Sequence, residues 1–252
     1  MEITFYSVLI LIVISFIAGL IDSIAGGGGL LMIPSYILLG IPPHSTLGTN
    51  KFAATLGTSV AVFNFMRKGK VSFTIILSGI SFALFGAFIG SKVILFIDEN
   101  MVGKLIAFLL PFGIFFTLMP KKGDIKSIKL KRLDLLFKIP LICLVVGFYD
   151  GLFGPGTGAF LALSFNLLLK INLIEATANA KVFNFVSNFG ALIAFLMKGE
   201  VIFILGIPLA ISSMVGNYFG SQLAIKNGEK FIRIFLIIVM IILVITLFAK
   251  YF

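Results

Sequence analysis

The sequence predicts an all-α fold: a polytopic helical membrane protein built from two homologous halves. Three observations carry this. The 252-residue chain is 60% apolar and only 12% charged, with a mean hydropathy of +1.17, whereas a soluble domain is nearer half apolar and a quarter charged. Its apolar segments are long and lack the period-two alternation of strands, which argues against an outer-membrane barrel. The chain also repeats itself. "GLIDSIAGGGG" from Gly19 returns as "GFYDGLFGPGTG" from Gly147, setting Asp22 against Asp150. "LGTNKFAATLGTSVAVFNFMRKGKV" from Leu47 returns as "TANAKVFNFVSNFGALIAFLMKGEV" from Thr177, setting Lys51 against Lys181. "GAFIGS" at Gly86 returns as "GNYFGS" at Gly216, with the offset held at 128 to 130 throughout. Order and spacing kept over such a length mark an internal duplication.

Each half follows one plan. In the first repeat, residues 1–119, an apolar segment runs from Thr4 to Asp22 and meets a glycine run that no helix tolerates well. The arm that follows, Leu30–Gly40, reaches only about 16 Å at 1.5 Å per residue, roughly half of a 30 Å hydrocarbon core. Three longer helices are predicted over 43–66, 71–95 and 101–119. Pro42 and Pro43 suit the opening of the first, where a missing N–H is harmless. In the second repeat, residues 139–252, the arms Pro140–Asp150 and Ala159–Lys170 are again too short to cross singly. Helices over 173–197, 201–223 and 229–249 complete it, and Asn172 with Glu175 reads as a capping pair. Between the repeats, residues 120–138 read as a basic cytoplasmic linker. The pairs Gly86/Gly90 and Gly216/Gly220 let helices approach closely.

The formal charge of +10 raises the question of a nucleic-acid partner. The cations cluster instead in short loops, seven of them between Lys121 and Lys138, as the positive-inside rule requires, so the expected surroundings are a lipid bilayer and no nucleic acid. If each glycine break is a hairpin tip, the second half is inverted and the loop cations divide 14 inside to 4 outside. If each break interrupts one spanning helix, the repeats are parallel and the division is 12 to 6. The rule favours inverted repeats. One cysteine, Cys143, and one histidine, His44, make a disulfide framework or a His-based metal or haem site improbable, and no cofactor is expected. His44 is read as a loop residue beside two prolines that caps a helix or meets solvent. "MEITFYS" has no basic n-region, so the first helix is expected to be retained.

Discontinuous helices at equivalent places in two halves point to a transporter's binding site. The arm after each break begins with N–H groups that have no intrahelical acceptor and with the positive end of a helix dipole, which suits an anion. Gly27, Gly28 and Gly29 in one half, and Gly156, Thr157 and Gly158 in the other, are the candidate donors. Lys51 lies about eight residues into its helix, roughly 12 Å deep, with Lys181 in the equivalent place. Buried Lys and Asp cost roughly 2.5–3.5 kcal/mol each, so Asp22, Lys51, Asp150 and Lys181 unpaired would cost roughly 10–14 kcal/mol. They must be paired or solvated. The bland reading pairs them within each half, Asp22 with Lys51 and Asp150 with Lys181, or has the aspartates cap the N–H groups that follow. Against it stands a polar stripe beside each lysine: Lys51, Thr55 and Thr58, then Lys181, Asn184 and Asn188. Glycine N–H groups, ammonium groups and neutral donors together suit a small oxyanion, with Asp22 and Asp150 either structural or carriers of a coupling proton.

The chain resembles the TauE/SafE sulfite exporter-like family, also called the toluene sulfonate uptake permease family. "GGGGLLMIP" from Gly26 with "LGTNK" from Leu47, and "GFYDGLFGPGTG" from Gly147 with "ANAK" from Ala178, carry the resemblance across both halves. It implies a multi-pass transporter of small sulfur-containing anions in a bacterial-type inner membrane. The expected function is secondary transport, by alternating access as one half rocks against the other. A passive anion channel is the alternative. An enzyme is not expected, because no carboxylate–histidine cluster or activated nucleophile is present; a non-transporting assembly factor is the remaining reading.

Overall fold

The computed structural model describes residues 5–118 and 130–227. The predicted helix 229–249 and most of the linker lie outside them. The described residues form nine α-helices: α1 Phe5–Ala25, α2 Gly28–Leu38, α3 Pro43–Arg67, α4 Phe73–Leu95, α5 Glu99–Leu118, α6 Ile139–Leu152, α7 Thr157–Leu168, α8 Leu173–Lys198 and α9 Phe203–Asn227. Local chemistry fixes their ends. Pro43 occupies the first turn of α3, the Asn172 side chain accepts from the Glu175 N–H at 2.9 Å to open α8, and left-handed Gly199 closes it.

Two elements differ from expectation. The first arm of the second half is longer than its apolar run, because a π-helical turn, Asp134–Lys138, feeds straight into α6. Lys138 pairs with Asp134 at 2.7 Å across that turn. The resulting stretch, Asp134–Leu152, has 19 residues and is long and apolar enough to cross a membrane, as are α1, α4, α8 and α9. His44 lies in the first turn of α3, not in a loop, and is buried. Its Nε2 sits 3.0 Å from the Ile94 carbonyl at the end of α4, which leaves that carbonyl satisfied.

Equivalent helices of the two halves run antiparallel where they meet. Gly48 near the start of α3 abuts Phe195 near the end of α8, and Ser72 just past α3 meets Asn179 at the start of α8. The contacts themselves come in symmetric pairs. Ser72 N–H donates to Asn179 Oδ1 at 3.0 Å, and Ile202 N–H donates to Thr49 Oγ1 at 3.0 Å.

The halves also exchange helices. The most extensive packing joins α4 of the first half to α6 of the second, and α1 of the first to α9 of the second. Glycines make both contacts close: Gly86 and Gly90 lie on the backbone of Leu144 and Phe148, and Gly216 and Gly220 on that of Phe16 and Leu20. Two apolar cores result. One gathers residues of α1, α2, α5 and α9 with parts of α3 and the end of α8; the other belongs to α4, α6, α7 and α8.

Candidate functional site

Both glycine breaks meet at the seam between these cores. Gly26 is in the left-handed region (φ 78°) and lies against the backbone of Gly158 and Ala159, so close that a Cβ there would overlap them. The second break turns through Gly154 (φ 96°) and Gly156 (φ 84°), and the Tyr149 hydroxyl pins it by donating to the Pro155 carbonyl at 2.7 Å. Each break faces a lysine. A Cβ on Gly154 would stand 2.7 Å from Lys51 Nζ, and one on Gly158 would stand 3.4 Å from Lys181 Nζ.

The lysines pair across the halves, not within them. Lys51 Nζ donates to Asp150 Oδ1 at 2.7 Å, and Lys181 Nζ to Asp22 Oδ2 at 2.9 Å. The within-half pairing expected from the sequence is thereby corrected. The reason is the exchange: α6 carries Asp150 to the seam opposite α3, and α1 carries Asp22 to the seam opposite α8. Neither ammonium is lost to hydrocarbon, which removes the insertion cost.

The two pairs differ in their surroundings. Asp150 is wholly enclosed, its side chain 1% exposed. Besides Lys51, it accepts from Ser187 Oγ on Oδ2 at 2.6 Å and lies 2.9 Å from Thr157 Oγ1. Lys51 donates also to Asn188 Oδ1 at 3.0 Å. Asp22 keeps 17% of its side chain exposed. Besides Lys181, it accepts a long contact from the Gly28 N–H at 3.4 Å, the weak form of the cap that the sequence allowed.

A cavity of about 40 Å³ opens at the seam. Of the residues singled out in the sequence, Asp22, Gly28, Gly29, Lys51, Asp150, Gly156, Asn184 and Asn188 line it. Gly28 and Gly29 open α2, so their N–H groups belong to the first turn that has no intrahelical acceptor. Others are placed differently. Gly27 is the residue before α2, the Thr55 hydroxyl turns back to the Lys51 carbonyl at 2.7 Å, Thr157 serves Asp150, and Gly158 and Lys181 stand at the contact with the first break. Sequence reading missed Asn50, Ser213 and Asn217, which also line the cavity, and Ser187, which holds Asp150. Among the described residues no group of three or more His, Cys, Asp or Glu side chains is placed to hold a metal ion.

Comparison with known proteins bears on the family. The family described as Sulfite exporter TauE/SafE matches residues 11–247. A probable membrane transporter protein of Sinorhizobium, ORF9, is 37% identical over 98% of this chain and 95% of its own length. A probable membrane transporter protein of Haemophilus influenzae is 38% identical over 89% of this chain and 88% of its own. The Escherichia coli probable membrane transporter YfcA is 36% identical, covering 91% and 85%. No solved structure matches the chain.

Proposed function

The chain belongs to the Sulfite exporter TauE/SafE family of multi-pass membrane proteins, and from that premise we propose that it moves small sulfur oxyanions across the inner membrane by alternating access, as a secondary transporter. The observation that carries the reading is the pair of cross-half Lys–Asp bridges beside two touching helix breaks. The Lys51 ammonium and the first-turn N–H groups of Gly28 and Gly29 converge there on one cavity, and Lys181 reaches it through Asp22. The size of that space bears on the cargo. An engineered cavity of about 150 Å³ holds a benzene ring, whereas this one is about 40 Å³. It suits a compact ion such as sulfite better than an aryl sulfonate.

Charge balance supports a coupling proton. Two lysines and two aspartates leave the site neutral, so an arriving anion must displace a carboxylate from its lysine. Asp22 is the carboxylate with room to yield; Lys181, Lys51 and Asp150 are the charged groups around it. Protonated as the anion arrives, Asp22 releases Lys181 without leaving a bare charge behind. Flux into liposomes tests both parts. Sulfite is expected to saturate and to outcompete toluenesulfonate by at least about tenfold, and an inward pH gradient (acidic outside) to drive uptake in the parent but not in Asp22→Asn. Non-saturating flux without exchange would mean a channel, and a gradient response that survives Asp22→Asn would remove the proton from this residue.

The moving bodies follow from the helix exchange. Rocking of one sequence half against the other would tear the glycine-lined α1–α9 and α4–α6 contacts. Motion of α1, α2, α3 and α9 against α4, α6, α7 and α8 leaves both intact and opens the polar α3–α8 seam, where both ion pairs cross. Two cross-links separate these motions. A Cβ on Gly79 would lie 2.6 Å from Cys143 Sγ and 2.9 Å from the Phe183 ring, so Gly79→Cys brings a second thiol onto Cys143, tying α4 to α6 once those side chains shift by a few tenths of an ångström. Phe16→Cys with Phe219→Cys, whose rings lie 6.5 Å apart, would tie α1 to α9 through a short bifunctional reagent. Each joins the sequence halves, yet flux is expected to persist after cross-linking. A block that returns to full flux on reduction would assign the motion to the halves.

A further inference from the structure

The two halves match so closely that their departures are informative. At the 130-residue offset, Asn50 stands where the second half has Ala180, Ser213 where the first has Ala83, and Asn217 where the first has Ala87. Asn50, Ser213 and Asn217 sit on two helices, α3 and α9, and all three line the cavity, whereas none of the three alanines does. The three polar residues are buried. A buried polar side chain in place of alanine is costly in a membrane-spanning helix unless it has partners. Here three occur together, on one side of the pseudo-two-fold axis, around one space. Their packing partner differs as well: Ser213 and Asn217 lie against Gly57 on α3, where the second half has Ser187.

Asn217 is the most specific of the three. Its Nδ2 donates to the Ser213 carbonyl at 3.0 Å and approaches Ser213 Oγ at 3.3 Å. A flipped amide would set oxygen against that carbonyl oxygen, so the bond fixes the orientation. Its Oδ1 is then an acceptor, buried and without a partner among the described residues. A buried acceptor left unpaired is destabilising, and what satisfies it must carry a donor. The donor must come from what enters the cavity that Asn217 lines, and a cargo that carries its own O–H supplies it.

We propose that Asn50, Ser213 and Asn217 form a neutral, one-sided subsite that selects a monoanionic oxyacid still carrying one O–H, as hydrogensulfite does, with that O–H donating to Asn217 Oδ1. This rests on the transport reading and sharpens it. The subsite favours a protonated monoanion over a monoanion lacking a donor, such as nitrate. It also explains how a neutral pocket discriminates among ions of one charge: hydrogen-bonding sites reject analogues that leave a buried group unpaired.

The test compares hydrogensulfite and nitrate in proteoliposomes at a fixed pH where the former is abundant, for the parent and for Asn217→Ala. The alanine is the residue that the other half carries at this place, and melting temperature is read beside flux. The parent is expected to prefer hydrogensulfite by at least about tenfold in kcat/KM. Asn217→Ala should bring the ratio to within about twofold of one, by loss of hydrogensulfite uptake and not by gain of nitrate. Asn50→Ala and Ser213→Ala should raise KM for hydrogensulfite with melting temperature unchanged. An unaltered ratio in Asn217→Ala, with saturable flux intact, overturns the subsite and leaves transport standing. Absence of saturable flux for any anion in the parent overturns the transport reading itself.

Discussion

Lys51→Ala is expected to reduce saturable oxyanion flux at least about a hundredfold and to lower stability by about 3–5 kcal/mol, the cost of leaving a buried charge without its partner. Both effects come from one atom. Lys51 Nζ holds Asp150 at 2.7 Å and Asn188 at 3.0 Å, at the wall of the cavity. The two consequences separate in the double variant Lys51→Met/Asp150→Leu. Removing both charges together leaves no bare carboxylate. The hydroxyls that served Asp150 keep backbone acceptors, Ser187 on the Asn184 carbonyl at 3.1 Å and Thr157 on the Gly154 carbonyl at 2.6 Å. The double variant should therefore recover most of the melting temperature and none of the flux. Normal transport by that protein would make the bridge a fastening for the break and nothing more.

Gly26→Ala should abolish the fold. Its backbone is left-handed, which costs an L-residue roughly 1–2 kcal/mol, but the larger penalty is contact. A methyl group there overlaps the backbone of Gly158 and Ala159, and neither chain can withdraw without opening the seam. Gly69→Ala isolates the first contribution, because Gly69 has a similar φ of 62° with nothing within 4 Å. The comparison is made on yield of monodisperse protein and on melting temperature. Gly69→Ala should fold with a small loss, while Gly26→Ala should fail to accumulate. Equal behaviour of the two would mean that the breaks are not pressed together as described.

Much of this was legible in the sequence, for reasons that differ by residue. Helix limits followed from Pro43, Asn172 and the glycine runs, whose effects act within a few residues. The breaks and the deep lysines were legible because charge and glycine in an apolar chain are costly wherever they fall. The pairing of Lys51 with Asp150 was not, because a repeat reveals which residues are equivalent, not which copy stands beside which. That depends on α6 lying against α4, and the signal for it, Gly86 and Gly90, reports close packing without naming the partner. Thr55 was misleading because a hydroxyl in a helix can satisfy itself on its own backbone. Asn50, Ser213 and Asn217 were within reach: the halves had only to be compared for differences as well as for likeness.

The reach of α1 to α9 has a consequence for biosynthesis. Ser15 donates to the Leu209 carbonyl and Ser212 to that of Ile12, contacts separated by 194 and 200 residues. At roughly 5–20 residues per second, the ribosome takes about 10–40 s to make the far partner after the near one. During that interval Ser15 and Asp22 of the first helix wait for partners that only the second half supplies, so assembly completes late in synthesis.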